Sequence, residues 1–255
     1  MRIATFGDLH LGHTRLLDKF QGQEEALLRF DDYLSKTHDR IILMGDIYQT
    51  DYGTVPGSRS DVLEAIIRRY SRVVQRWKAF HYRFVYGNHD VITQKLLGTL
   101  KQIRLKKDDL NLWFIHGHQF DPFIGEKGHL PFFVTWMIGG MRRLGFSRLA
   151  DFLEGPFYDF GQRLFQRLER AAWKALTHGK NDILVMGHSH QTACLQLGRG
   201  VYLNSGACCY DSMRYASIDT LKRVVEIRIF EPPNQSRLFL RWQPPASETS
   251  RKLPR

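Results

Sequence analysis

The chain has 255 residues, 43% of them hydrophobic and 25% charged. That length suits one α/β domain with an insertion rather than two full domains, and that composition excludes a wholly disordered chain. The 37 Lys and Arg against 26 Asp and Glu leave a formal charge of +11, which favours anionic partners such as phosphorylated substrates, nucleic acid or an anionic membrane face without choosing among them.

The opening MRIATFGDLH has no apolar run of signal-peptide length, and no segment approaches the roughly 20 apolar residues of a spanning helix. Cys194, Cys208 and Cys209, two of them adjacent, make no disulfide framework. A reducing, cytoplasmic setting is expected, with any membrane contact peripheral, on the inner face.

Along the chain, short apolar runs stop at a glycine followed by a polar residue. They are RIATFGD (2–8), RIILMGD (40–46), YRFVYGN (82–88), LWFIHGH (112–118) and DILVMGH (182–188). Such runs suit strands buried on both faces, and the glycine permits a sharp turn or close approach of a ligand. Residues 23–36 put Ala26, Leu27, Phe30 and Leu34 on one helical face, and residues 61–79 do the same with Val62, Ile66, Tyr70, Val73 and Trp77. Strand alternating with helix predicts a layered α/β fold with parallel strands, whose active site lies beyond the carboxyl ends.

Residues 123–180 carry no strand signal. They read as a helical insertion with helices over about 131–153 and 156–178, the second bearing Arg163, Arg167, Arg170 and Lys174 along one side. After residue 198, β-like runs broken by turns predict a meander completing a second sheet. The polar end, 244–255, is expected to be a disordered tail after a domain of 1–243.

The strand tips collect Asp8, His10, Asp46, Asn88, His89, His116, His118, His188 and His190. Singly, each reads as a turn residue or a hydrogen-bonded structural histidine. Five tips that the fold itself gathers point instead to a metal site. Carboxylates, an amide and imidazoles without thiolates suit Mn²⁺, Fe or Zn²⁺, and a lone carboxylate such as Asp46 can bridge two cations. In strand-like GHSH, alternate residues project to one side, which sends His188 and His190 to the same cluster; Asp8 and His10 follow likewise.

In order, GDLH, GDIY, GNHD, HGH and GHSH resemble the signature of the calcineurin-like metallophosphoesterase superfamily, over residues 7 to 190. The resemblance implies two packed mixed sheets flanked by helices. It implies two divalent ions, Mn²⁺ first and Fe or Zn next, one held by Asp8, His10, Asp46 and His190 and the other by Asp46, Asn88, His116 and His188. Either histidine of HGH fits from the residues alone; the family's ligand is the one before the glycine, hence His116. His89 would face the substrate phosphate, oriented by Asp90. The implied reaction is hydrolysis of a phosphodiester or pyrophosphate by a hydroxide held between the ions.

For the substrate, the insertion resembles that of UDP-2,3-diacylglucosamine hydrolases, where inserted helices form a lid over acyl chains; PFFVTWMIGGM and the Phe-rich stretch 152–165 would line it. Those enzymes carry GNRD where this chain has GNHD. The alternatives are a cyclic-nucleotide phosphodiesterase, a nuclease using the basic stretch with Arg68, Arg69, Arg72, Arg76 and Lys78, and a non-catalytic scaffold of the same fold. His118, His13 and Tyr48 are further candidates for substrate contact, and Asp51 follows the second motif.

Overall fold

The computed structural model describes residues 1–52, 58–79, 81–121, 129–154, 156–209 and 211–244. The first apolar runs form β1 (Arg2–Phe6), β2 (Arg40–Leu43) and β3 (Tyr82–Phe84), paired in parallel in that order. Helices α1 (Glu24–Thr37), α2 (Arg59–Arg69) and α3 (Ser71–Arg76) make the crossovers. The α1 face buries Ala26, Leu27, Phe30 and Leu34 as the spacing predicts. The single helix expected over 61–79 is broken at Tyr70, which leaves helical backbone (φ −111°) and is fully buried with its hydroxyl donating to Asp18 Oδ2 at 2.6 Å.

Next come α4 (Ile92–Leu97) and the antiparallel pair β4 (Gln102–Lys107) and β5 (Leu110–Ile115). The sequence pattern did not disclose β4, because this edge strand buries only Ile103 and carries Arg104, Lys106 and Lys107 outward. The insertion forms α5 (His129–Arg143), α6 (Ser147–Glu154) and α7 (Pro156–Thr177). The first expected helix is thus two, divided where Gly145 takes φ +85° and Phe146 N–H bonds back to Met141 O at 3.0 Å. The chain then adds β6 (Ile183–Met186), β7 (Thr192–Leu197), β8 (Gly200–Ser205), β9 (Arg214–Asp219), β10 (Val224–Glu231) and β11 (Gln235–Trp242).

The two sheets have the strand orders β11-β10-β9-β1-β2-β3 and β4-β5-β6-β8-β7. The expected meander therefore divides. β8 enters the second sheet beside β6, whereas β9, β10 and β11 extend the first, with β9 antiparallel to β1. The physical reason is that β1 has an open edge opposite β2, and β9, apolar on both faces through Tyr215, Ala216 and Ile218, fills it.

Strand alternation sorts side chains into three cores. Ala4, Phe6, Ile41 and Leu43 join α1, α2 and α3 on the outer face of the first sheet. Ile3, Ile42, Phe114, Ile183, Val185, Leu203 and Ile218 meet between the sheets. Leu184, Met186 and Tyr202 lie against Leu164, Leu168, Ala172 and Leu176 of α7. The layers run helix, sheet, sheet, helix. Consequently α7 is a structural layer, and a lid role is left to α5 and α6. The side chains of 129–135 and 153–163, which carry most of the expected apolar pocket, lie outside the described residues, as does 245–255 of the expected tail.

His38, at the end of α1, sets an acid limit on this fold. Its Nε2 meets Ser217 Oγ and its Nδ1 meets Thr37 Oγ1, each at 2.9 Å. Burial, helped by the charge of Arg2, lowers it to about 4 from the usual 6.5. The folded state therefore binds fewer protons than the unfolded chain between those values, and stability falls as pH drops from about 6.5 to 4, by roughly 3 kcal/mol. His38→Gln is expected to flatten that part of the stability curve in urea titrations at pH 4.5 and 7. An unchanged slope would assign the acid sensitivity elsewhere.

Candidate metal centre

Each strand ends where its ligands begin, and the ligand backbones are unusual. Asp8, His10, Asp46, His188 and His190 have φ of 54°, 48°, 50°, 68° and 57°. Left-handed backbone costs a non-glycine residue about 1–3 kcal/mol, and such strain collects at functional sites. It also replaces the reason expected for the two-residue spacing. His188 and His190 converge through alternate left-handed residues in a loop beyond Met186, not through the pleat of a strand.

Cross-bracing holds the loops together. Asp8 N–H bonds to Gly45 O at 3.0 Å, His10 N–H to Asp46 O at 2.9 Å and Gly187 N–H to His116 O at 2.9 Å. A Cβ on Gly87 would collide with Asp46 Oδ1 and lie 2.5 Å from the Asp46 nitrogen, so only glycine lets GNHD approach GDIY.

Two ligand groups result, Asp8 with His10, Asp46 and His190, and Asp46 with His116 and His188, the ligand atoms of each lying within 4.8 Å of one another. Asp46 belongs to both. Asn88 Oδ1 is buried without a hydrogen-bond partner, as an amide oxygen reserved for a cation would be. His116 Nδ1–H donates to Met44 O at 2.6 Å, which fixes the tautomer and leaves Nε2, 3.3 Å from Asp46 Oδ2, as an electron-pair donor. His10 is set in the same way, Nδ1 meeting Gln49 Oε1 at 2.8 Å. His188 turns Nε2 to Asp121 Oδ2 at 3.2 Å and keeps Nδ1 for the cluster. These donors fit divalent cations.

The electrostatics agree with a site awaiting positive charge. Burial opposes ionisation of Asp46, but the charges of His116 and His89 overcome it and hold the carboxyl well below its usual range. Burial likewise opposes protonation of His116, and Asp46 and Asp8 reverse this to about 9. Asp90 is raised to about 6 by burial and then by Asp46.

Several candidates sit differently from expectation. Asp90 does not hold the His89 ring. It accepts the backbone N–H groups of Gly87 at 2.6 Å, Ile47 at 2.8 Å and Tyr48 at 3.3 Å, clamping two ligand loops together. The His89 ring is held by Asp51, Nδ1 to Oδ2 at 3.0 Å, with Gln49 Nε2 at 3.3 Å. Tyr48 is 1% exposed and belongs to the first-sheet core, so it has no surface for a substrate. His118 is 2% exposed and backs the His116 ring at 5.4 Å, with burial and the His116 charge lowering it to about 3. His13 lies outside both ligand groups, half-buried and lowered by burial and by Arg143.

The positioning residues Gln49, Asp121 and Asn204 escaped the sequence reading. Asn204 donates to Gly187 O at 2.9 Å and to Ser189 Oγ at 3.1 Å and accepts Gly206 N–H at 2.9 Å, bracing the GHSH loop from β8. The glutamine follows Asp46 by three residues and the asparagine ends an apolar run, but neither spacing marks a contact across the fold.

A thiolate-free set of carboxylates, amide and imidazoles at the strand ends of a two-sheet sandwich suits a pair of divalent cations rather than a structural Cys-rich zinc site. The chain belongs to the calcineurin-like phosphoesterase family, whose sequence model matches residues 1–211. No curated protein matches it. Among solved structures it is similar to the phosphoesterase Yfce from E. coli, with 15% identity, 95% of this chain and 98% of that one covered, and a TM-score of 0.49. A novel archaeal phosphodiesterase is 16% identical over 90% of this chain and all 100% of its own, with a TM-score of 0.48. Vps29 complexed with Zn²⁺ from Entamoeba histolytica is 14% identical, covering 95% and 98%, with a TM-score of 0.45.

Proposed function

We propose that this chain is a hydrolase of phosphodiester or pyrophosphate bonds that works with two divalent cations. The carrying observation is the sharing of Asp46 between two complete ligand groups, with the Asn88 oxygen buried and unpartnered beside them. Asp8, His10, Asp46 and His190 would hold one ion and Asp46, Asn88, His116 and His188 the other, Mn²⁺ being the first candidate and Fe or Zn next. Bound there, the ions supply Lewis-acid neutralisation of the phosphoryl oxygens and a water of lowered pKa.

The chain's own residues do the rest. His89 is the more exposed partner of its pair with Asp51, 21% against 5%, and its ring lies 5.1 Å from that of His10, which suits it to meet a phosphate held by the ions. Burial disfavours its proton while Asp46 and Asp51 favour it, and with Nδ1 directed to Asp51 Oδ2 it is Nε2 that would give a proton to the leaving oxygen. Gln49 Oε1 accepts from His10 Nδ1–H and fixes that ring, while its Nε2 lies 3.3 Å from His89 Nδ1, whose proton is directed to Asp51.

The substrate reading rests on α5 and α6. Arg143 Nη1 donates to Tyr52 O at 2.6 Å, and α5 packs beside the turn Arg15–Leu17, so the insertion leans on the loops that follow β1 and β2. Leu144, Phe146, Leu149 and Phe152 are 76, 58, 47 and 75% exposed, with Arg142 and Arg148 interspersed. An apolar, basic rim beside a phosphoesterase centre supports a nucleotide-linked lipid of the UDP-2,3-diacylglucosamine type, met at a membrane surface. Among the described residues no helix is long and apolar enough to cross a membrane.

The deciding experiment is a substrate panel with Mn²⁺: UDP-diacylglucosamine, cyclic nucleotides, single- and double-stranded DNA and a generic aryl phosphodiester, together with metal analysis of the protein. Hydrolysis of the aryl diester with about two equivalents of metal is expected; less than one equivalent and no hydrolysis would refute the reading. The α5 contact gives a finer test. A Cβ on Gly139 would lie 2.5 Å from Tyr52 Cδ1, 2.9 Å from its Cγ and 3.2 Å from its Cβ, so the ring and α5 must move apart. Gly139→Val is therefore expected to raise KM for the preferred large substrate about tenfold, through displacement of α5, with metal content and aryl-diester turnover nearly unchanged.

A further inference from the structure

A hollow of about 800 Å³ lies between β4, β5 and the C-terminal half of α7, and the centre above makes no use of it. Arg104, Arg170, Lys174 and Lys180 line it together with Trp113 and Phe120, Arg167 stands among them, and no carboxylate is in the lining. Among the described residues Arg104, Arg170, Lys174 and Lys180 have no ion-pair partner.

The contrast with the other basic face is sharp. Arg69 pairs with Asp18 at 3.3 Å, Arg68 with Glu64 at 3.4 Å, Arg76 with Asp31 at 3.3 Å and Arg72 with Glu25. The helices whose arginines suggested a nucleic-acid face are thus neutralised by their own neighbours. Four cations without an ion-pair partner among the described residues face one hollow, where their mutual repulsion is a standing cost that a bound anion would relieve.

The floor is aromatic and fixed in advance. Arg104 lies over the Trp113 ring, 4.2 Å from its centroid, and donates to Asn181 Oδ1 at 3.1 Å. Trp113 Nε1–H donates to Gln102 Oε1 at 2.7 Å, and Phe120 meets the ring edge-on at 6.2 Å. Phe120 closes the turn His118–Phe120, whose first residue backs His116, while Lys180 precedes β6 at its other end. The hollow therefore lies where Trp113 of β5 faces α7, with Phe120 and Lys180 both in its lining.

We propose that this groove is a second, non-catalytic binding site for nucleotide phosphates and their base, supplied by a free nucleotide or by a single strand. Cations in a row take phosphates, and a guanidinium stacked on an indole offers a base a planar platform. The volume of about 800 Å³ leaves room for a nucleotide's phosphates and its base together. The site goes beyond the hydrolase reading: binding here would persist if the chain hydrolysed nothing.

The test is fluorescence anisotropy of a hydrolysis-resistant phosphorothioate oligothymidine of about a dozen nucleotides on the full chain. The groove variant Arg170→Glu/Lys174→Glu is compared with Arg68→Glu/Arg72→Glu, which changes the charge equally on the paired face. The groove variant is expected to weaken binding about tenfold or more at low salt, the other less than about twofold, with aryl-diester hydrolysis intact in both as evidence of folding. Quenching of Trp emission on binding is expected to disappear in Trp113→Phe. Competition by UMP at comparable concentration would identify a free nucleotide as the ligand, and its failure a strand; either supports the site. Equal losses in the two charge variants, absence of binding, or equal competition by inorganic polyphosphate without loss of binding in the groove variant would overturn it.

Discussion

Asp46→Ala is expected to empty the centre of metal and to lower kcat/KM on an aryl phosphodiester by about 10³-fold or more. The carboxylate is 1% exposed and belongs to both ligand groups, its Oδ1 accepts His89 N–H at 2.8 Å and its Oδ2 lies 3.3 Å from His116 Nε2. One substitution therefore removes a ligand from each group, loosens the His89 loop and deprives His116 of its main counter-charge. His190→Ala is the proper comparison, because His190 serves one group only and its side chain is 38% exposed. That variant is expected to retain about one equivalent of metal where Asp46→Ala retains almost none. Elemental analysis of both proteins after dialysis against Mn²⁺ distinguishes them. Two full equivalents and undiminished turnover in Asp46→Ala would sink the shared-ligand assignment.

Much of this centre was readable in the chain because its ligands come in short runs. Asp8 and His10, Asp46, Asn88, and His188 and His190 each follow a glycine at the end of an apolar run, so a local pattern places them on strand tips and the α/β topology gathers the tips. The residues that orient those ligands have no such pattern. Asp121 reaches His188 across 67 positions and Gln49 reaches His10 across 39, contacts that exist only once the strands before them have paired. Tyr48 and Asp90 misled for a related reason. Proximity to a motif in sequence says nothing about which way a side chain turns, and these two turn inward, one into the core and one onto three backbone N–H groups. The strands β4 and β7 were hidden because edge strands bury few side chains, and the destination of β9 to β11 was hidden because strand order within a sheet leaves no local pattern in the chain. Likewise, composition counted the arginines of α2 and α3 without showing that acidic neighbours already cancel them.

His89→Ala is expected to lower kcat by about 10²–10⁴-fold while leaving metal content within error of the parent. The ring coordinates nothing in either ligand group, so its loss should spare the ions. It stands 5.1 Å from the His10 ring, centroid to centroid, which puts it beside the metal-binding residues. If it supplies a proton, activity declines as pH rises through its pKa, which burial lowers but Asp46 and Asp51 raise above the ordinary histidine value. The alkaline limb of the kcat profile should then vanish in His89→Ala. Asp51 separates proton supply from mere packing. It bridges Arg59 Nε at 2.8 Å and His89 Nδ1 at 3.0 Å, so Asp51→Asn keeps the volume but withdraws the charge that favours the imidazolium. That variant should move the alkaline limb to lower pH and cost about 10–100-fold at pH 8, with a smaller loss at pH 6. The double variant should be no worse than His89→Ala alone, because an aspartate acting through the histidine has nothing to act on once the ring is gone. Additive losses in the double variant, or a limb that persists in His89→Ala, would transfer the proton to another donor.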